Sequence, residues 1–179
     1  MMNIAKPRDT VEAVRAQFPA GLVEVKEAFG ETTLIVTPAA LESIMRYLRD
    51  THGLAYNFLS DISAVDYYPE MTRPERFGVS YHLYSMLYNR RLRVKTFVAE
   101  DDPLLPTMTT VWPAANWLER EIYDMMGIVF EGHPNMKRVL MPDDWNGHPH
   151  RKDYPLGYET IMFSFNADEV AKSKPRAQE

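Results

Sequence analysis

The apolar positions of this chain fall into three patterns that change along its length. Val11, Val14 and Phe18 lie near one face of a helix that Asp9 or Thr10 can cap, running through about Gln17 and ended by Pro19 and Gly21. Leu22 to Phe29 and Thr32 to Val36 have strand character, with a turn at Gly30. Thr37-Pro38 is a strong helix start, with Thr at the N-cap and Pro at the first position. Leu41, Ile44, Met45 and Leu48 follow at helical spacing, and Gly53 offers a stop. Three strand-like segments come next, at about Phe58–Tyr67, Arg76–Tyr88 and Arg91–Ala99, the last two joined by a hairpin turn at Asn89-Arg90. The predicted order is α-β-β-α-β-β-β, an α+β two-layer domain with a mixed sheet.

After Ala99 the pattern breaks. Asp101-Asp102-Pro103 and Pro106 predict a loop, and Trp112 to Met126 a helix with Pro113 in its first turn and Gly127 past its end. From Ile128 onward Gly and Pro recur every few residues, which excludes a long helix or a central strand. This stretch is nevertheless rich in large apolar groups, among them Val139, Leu140, Met141, Trp145, Tyr154, Ile161, Phe163 and Phe165. We therefore divide the chain into an α+β core with its closing helix, residues 1–127, and an extended arm, 128–179. The arm is expected to lie on another surface and to be mobile, from about Pro142 to Phe165, when the chain is alone. Residues 171–179 are polar and are expected to fray.

Composition narrows the chemistry. The 179 residues are 45% hydrophobic and 25% charged, the balance of a globular chain that buries close to ~70% of its unfolded surface. A net charge of −5 gives no global field for nucleic acid. There are no cysteines, so disulfides, a thiol nucleophile and thiolate ligands for zinc or an iron–sulfur cluster are excluded. No apolar run approaches the roughly 18 residues that span a bilayer, and the first nine residues lack the apolar stretch of a secretory signal. The expectation is a soluble protein that reaches a membrane only through a partner. No glycine-rich dinucleotide or phosphate loop occurs.

Three constellations remain. In the fourth and fifth strands, Phe77, Val79, Tyr81, Leu83 and Leu87 share one face, and Ser80, His82, Tyr84, Met86 and Tyr88 the other, where Arg91, Arg93 and Lys95 join them opposite Leu92 and Val94. That second face reads as solvated, as a docking face, or as a basic and aromatic nucleic-acid surface, the last disfavoured by the net charge. In the helix, Glu121 and Asp124 could form an acid/base pair, but Arg120 and Asp124 stand at the i,i+4 spacing of a salt bridge, which is the commoner use of such charges. His148 and His150, with Asp143, Asp144 and Asp153, could ligate zinc or iron. Neither His lies on a regular element that would fix its geometry, and the two Gly-His-Pro runs look like turn chemistry.

The densest signal is Glu119-Arg120-Glu121-Ile122-Tyr123-Asp124-Met125-Met126-Gly127-Ile128, continued by Phe130, Gly132-His133-Pro134 and Lys137-Arg138-Val139-Leu140-Met141. It closely resembles the signature of the C-subunit (30 kDa) family of type I NADH:quinone oxidoreductase, respiratory complex I. Asp143-Asp144-Trp145, Gly147-His148-Pro149, Arg151-Lys152-Asp153-Tyr154-Pro155-Leu156, Tyr81-His82-Leu83 and Arg91-Leu92-Arg93-Val94-Lys95 fit it too. The likeness covers about Ala55 to Asn166; Lys137 stands where the family usually has Arg, and Met126 where it often has Phe. The resemblance implies a non-catalytic subunit without a cofactor of its own, fixed beside the D subunit and near the B subunit. FMN, iron–sulfur clusters and quinone are then bound by partner subunits, and the translocase activity belongs to the complex. It also implies a peripheral place on the cytoplasmic face of the cell membrane, with no nucleic-acid partner. The expected partner interface is Glu119, Arg120, Glu121, Tyr123, Asp124, Gly132, His133, Pro134, Arg138, Asp144, Trp145, Arg151, Lys152, Asp153 and Tyr154, as interface and scaffold ion pairs. Two rivals are the equivalent subunit of a related membrane-bound hydrogenase and a metal-dependent enzyme using the C-terminal His/Asp group.

The purified lone chain is expected to show no NADH oxidation, no visible chromophore and no stoichiometric transition metal. Elemental analysis returning about one equivalent of zinc or iron per chain would favour the metal-dependent enzyme instead.

Overall fold

A computed structural model describes residues 6–70 and 72–155. The elements follow the predicted order: α1 (Thr10–Gln17), β1 (Leu22–Ala28), β2 (Glu31–Val36), α2 (Pro38–Asp50), β3 (Phe58–Asp66), β4 (Phe77–Ser85) and β5 (Arg90–Val98). The fold is α+β. Asp9 is the cap of α1, its Oδ1 accepting from Glu12 N at 2.9 Å. Thr37 holds the N-cap position of α2 ahead of Pro38, although its side chain makes no capping bond.

The five strands form one mixed sheet in the order β1-β2-β5-β4-β3. Antiparallel pairing joins β1 to β2, β4 to β5 and β3 to β4, while β2 runs parallel to β5. That parallel contact requires a crossover, which α2 and the β3–β4 hairpin supply. Alternation sends Leu34, Val36, Val79, Tyr81, Leu92 and Val94 to one face, where they pack with Leu41, Ile44, Met45 and Leu48 of α2. The opposite face carries Ser80, His82, Arg93 and Lys95 and has no helix on it among the described residues.

Three local expectations are corrected. The β4–β5 connection is a four-residue turn, Met86 to Asn89, so Leu87 leaves the apolar face and is 52% exposed. The helix after the break starts at Ala115, not Trp112: α3 spans Ala115–Met126. Ahead of it Ala115 N and Asn116 N bond three residues back, to Trp112 O and Pro113 O, the tighter winding common at a helix start. The supposed loop at Pro103–Pro106 contains β6 (Leu104–Pro106), which pairs in parallel with β7 (Val129–Glu131) across α3. Strands of three residues, one ending in Pro, leave no readable alternation.

β7 also moves the boundary between core and arm. Ile128 and Phe130 are 0% and 2% exposed and belong to the core, so the core does not end at Gly127.

Candidate docking site

α3 lies along β3, burying Ile122 and Met125, and the arm wraps its C-terminal end. A helix end leaves its last carbonyls without intrahelical partners. Here the arm supplies them: His148 Nδ1 donates to Asp124 O at 3.0 Å, His150 N to Met125 O at 2.9 Å, and Arg151 Nε to Met126 O at 2.7 Å. Cationic groups also suit that end of the helix dipole. Gly127 closes the helix at φ 75°, and a side chain there would collide with the His148 ring 2.6 Å away.

Asp124 organises the turn that follows. It is fully buried, and its Oδ2 accepts from the successive backbone N–H groups of Val139, Leu140 and Met141 at 2.8–2.9 Å. Oδ1 accepts from Arg138 Nη1 at 2.6 Å. Burial pushes this carboxyl up, but the Met141 N–H, the Arg138 guanidinium and the other two N–H groups outweigh it and hold it below the usual carboxylate range. Arg138 reaches on with Nη2 to Trp145 O and Gly147 O, at 3.0 and 3.2 Å. Arg120 does not pair with Asp124 as its spacing suggested. It donates to Lys137 O and Arg138 O at 3.0 and 3.1 Å and lies 4.7 Å from the Trp117 ring centre.

A second hub fastens the end of the described arm. Arg76 and Asp66, with side chains 3% and 1% exposed, form a two-pronged pair at 2.7 and 3.0 Å. Arg76 also donates to both oxygens of Asp153, at 2.5 and 3.0 Å, and to Glu100 at 2.6 Å. Asp66 accepts from Lys152 N and Tyr68 N, both at 2.9 Å. Burial alone would raise the Asp66 carboxyl; the bonds from Arg76, Lys152 and Tyr68 prevail and bring it down to about 2. Neither Asp66 nor Arg76 was among the candidate residues. Only the β3–β4 register, which sets Asp66 opposite Phe77, brings them together.

Glu119 is the third buried charge. Oε1 accepts from Met108 N at 2.6 Å and Oε2 from the Thr107 hydroxyl at 2.5 Å. Burial raises this carboxyl to about 7 against those two bonds.

These contacts correct the predicted interface. Glu119 and Asp124 are completely enclosed in their own chain and cannot touch a partner. Glu121 is exposed while Asp124 points inward, so the two do not form an acid/base pair. Arg138 and Asp153 have intrachain carboxylate or guanidinium partners. His133 donates from Nε2 to Asn116 O at 3.1 Å and accepts from Asn135 N, fixing the Gly132-His133-Pro134 turn to α3. Tyr154 lies over Gly147 and bonds Asn146 O, and Tyr123 meets His148 edge-on. Residues 132–155 therefore lie on the chain's own domain rather than awaiting another surface. Ile161, Phe163 and Phe165 lie outside the described residues. His148 and Asp153 are engaged elsewhere, with Asp124 O and Arg76, and no group of three metal-binding side chains gathers among the described residues. Large apolar groups do remain exposed on this block: Trp117 at 63% and Leu140 at 59%. Gly132, Pro134, Asp144 and Lys152 are also exposed, and Trp145 and Arg151 half-buried.

Residues 34–160 match the family model described as the respiratory-chain NADH dehydrogenase, 30 Kd subunit. The chain belongs to this family. It is 43% identical over 169 residues to the C subunit of NADH-quinone oxidoreductase from Roseiflexus sp. (strain RS-1), covering 94% of this chain and 95% of that one. The C subunit from Herpetosiphon aurantiacus is 44% identical over 173 residues, 96% of this chain and 98% of the relative. Among solved structures, the trypsin-resistant fragment (1-134) of Nqo5 superposes with a TM-score of 0.62 at 35% identity, covering 71% of this chain and 99% of the fragment. A chain of the membrane-bound sulfane sulfur reductase, an archaeal respiratory membrane complex, superposes at 0.69 over 94% of this chain and 93% of that one. At 24% identity it shares the fold alone. This chain is thus a 30 kDa-family subunit, and its relatives are named as subunits of NADH-quinone oxidoreductase. No helix among the described residues is long and apolar enough to cross a membrane.

Two outcomes follow for the 30 kDa-family protein alone. Asp124→Ala strands Arg138 and three N–H groups, a class of change that costs about 3–5 kcal/mol. Hydrogen exchange should show the amides of Val139, Leu140 and Met141 opening while β4 and β5 stay protected; unchanged protection at those three amides refutes their anchoring by Asp124. For Glu119, the folded value of about 7 exceeds the unfolded 4.5, so the folded state holds the extra proton between them. Stability from this group is present below 4.5 and is lost as pH rises through 7. Denaturation of wild type and Glu119→Gln across pH 4–8 should show that loss in the wild type and its absence in the variant.

Proposed function

We propose that this chain is a non-catalytic, positional subunit of the peripheral arm of complex I. It docks mainly on the D subunit, with the B subunit and other peripheral-arm subunits nearby, at the cytoplasmic face of the membrane. FMN, iron–sulfur clusters and quinone are held by those partners, and the chain's task is to keep them in register for electron transfer from NADH to quinone. The observation that carries this reading is how the charged groups are used. Glu119 ties α3 to Thr107 and Met108, Asp124 and Arg138 tie the arm to α3, and Asp66, Arg76 and Asp153 tie the arm to the sheet. Two of the groups that face outward on that block are large and apolar, Trp117 and Leu140, with Arg120 against the indole and charged groups such as Glu121, Lys137 and Asp144 exposed on the same block. Exposed Trp beside Arg is the composition of an interface centre rather than of a reaction centre.

A tagged chain drawn gently from membranes should bring down the D subunit in equal amount. The double variant Trp117→Ser, Leu140→Asp should lose most of that recovery, while the lone variant stays within about 0.5 kcal/mol of wild type in denaturation, as exposed substitutions usually do. Wild-type recovery of the double variant would refute docking through this block. A copurifying nickel-bearing large subunit would assign the chain to a hydrogenase instead.

A further inference from the structure

The sheet carries its helices on one face, and the other bears two neighbouring hollows. The first, of about 580 Å³, has Lys26, Arg73, Arg93 and Lys95 as its basic lining against Glu31 and Glu75. The second, of about 810 Å³, shares Glu31, His82 and Arg93 with it, so the two form one groove across the strands. Sites for small molecules enclose about 300–1,000 Å³ and bury most of the ligand. An open groove of this combined extent suits a length of polypeptide better.

Charge selects what the segment must carry. The chain is net negative, yet this hollow has an excess of cations. Arg93 is paired with Glu31, and Arg73 with Glu24. Lys95 is not: its Nζ donates to the Tyr67 hydroxyl and lies 5.0 Å from the ring centres of Tyr67 and Phe97, and no carboxylate among the described residues pairs with it. A half-buried ammonium with only neutral partners is a place for an incoming carboxylate. Gly78 keeps the floor clear, since a Cβ there would stand 3.0 Å from both Lys95 Cε and the Tyr67 ring.

The mouth of the groove has an independent peculiarity. Phe29 and Gly30 form the two-residue β1–β2 turn with φ 55° and 77°. Such turns favour Asn-Gly, and a bulky side chain at positive φ is costly. Phe29 is nevertheless there, completely exposed, lining the first hollow. Neither the hairpin nor the core gains from that ring.

We propose that this groove is a second docking surface, apart from the α3 block. Its occupant is a segment of another complex I subunit that sets an Asp or Glu carboxylate on Lys95 and an apolar side chain against Phe29. The proposal rests on the positional reading above, because it supposes that the chain works by being held between partners.

The test uses the intact complex with wild type, Phe29→Asn and Lys95→Glu. Phe29→Asn installs the favoured turn residue, so the lone variant should melt at or above the wild-type temperature, whereas its retention in the complex through a salt wash should fall several-fold. Lys95→Glu should fall likewise. A photo-cross-linking phenylalanine analogue at position 29 should attach to an Asp- or Glu-bearing segment of another subunit. Retention of both variants at the wild-type level overturns the second surface and leaves the positional reading standing. So does a cross-link confined to this chain's residues 156–179, to a second copy or to lipid. Failure of the wild type itself to copurify with other subunits takes down both.

Discussion

A buried carboxylate has to be surrounded by donors, and Asp124 meets that demand by drawing residues 138–141 around the end of α3. Much else follows from this contact. With the three N–H groups aimed inward, Arg138 is placed where it can hold the Trp145 and Gly147 carbonyls. The chain then returns so that His148, His150 and Arg151 meet the last carbonyls of the helix. A segment too rich in Gly and Pro to make a ladder of its own satisfies its backbone by serving as the cap of another element.

The Arg76–Asp66 hub works differently. Replacing a buried ion pair with apolar groups is often neutral or stabilising, so net stability is a poor account of it. Its effect is position. Asp66 ends β3, Arg76 precedes β4, Glu100 follows β5, and Lys152 and Asp153 come from the arm. Five residues from four parts of the chain are tied at one point. The tie holds the arm against the end of the sheet, on the same scaffold that leaves Trp117 and Leu140 exposed.

The relatives and the residues agree at different depths. The stretch from Glu119 to Met141 carries the family likeness, and the model of that family matches residues 34–160. The same stretch supplies two fully buried carboxylates, Glu119 and Asp124. Much of what reads in the sequence as a partner-facing motif is thus internal wiring of α3 and the arm. Lys95 and Phe29 are the opposite case: on the open sheet face Lys95 has only neutral partners among the described residues, and Phe29 is fully exposed.

Alternation and helical spacing by themselves determined the α-β-β-α-β-β-β order, the inward faces of β4 and β5, and the Pro38 helix start, because such periodicities are local properties of the backbone. The absence of cysteine likewise settled what this chain could not ligate through thiolates. Charge partners were another matter. Helical spacing offered Arg120 to Asp124, and tertiary structure gave Asp124 to Arg138, because a pair fourteen residues apart outcompetes a neighbour once the helix face is buried and three N–H groups arrive with it. The β6–β7 pair, the Asp66–Arg76 hub and the fold-back of residues 132–155 likewise depended on which distant segments meet. Only the packed sheet and helix decide that, since the free energy comes from burial and hydrogen bonding between segments with no local pattern in common.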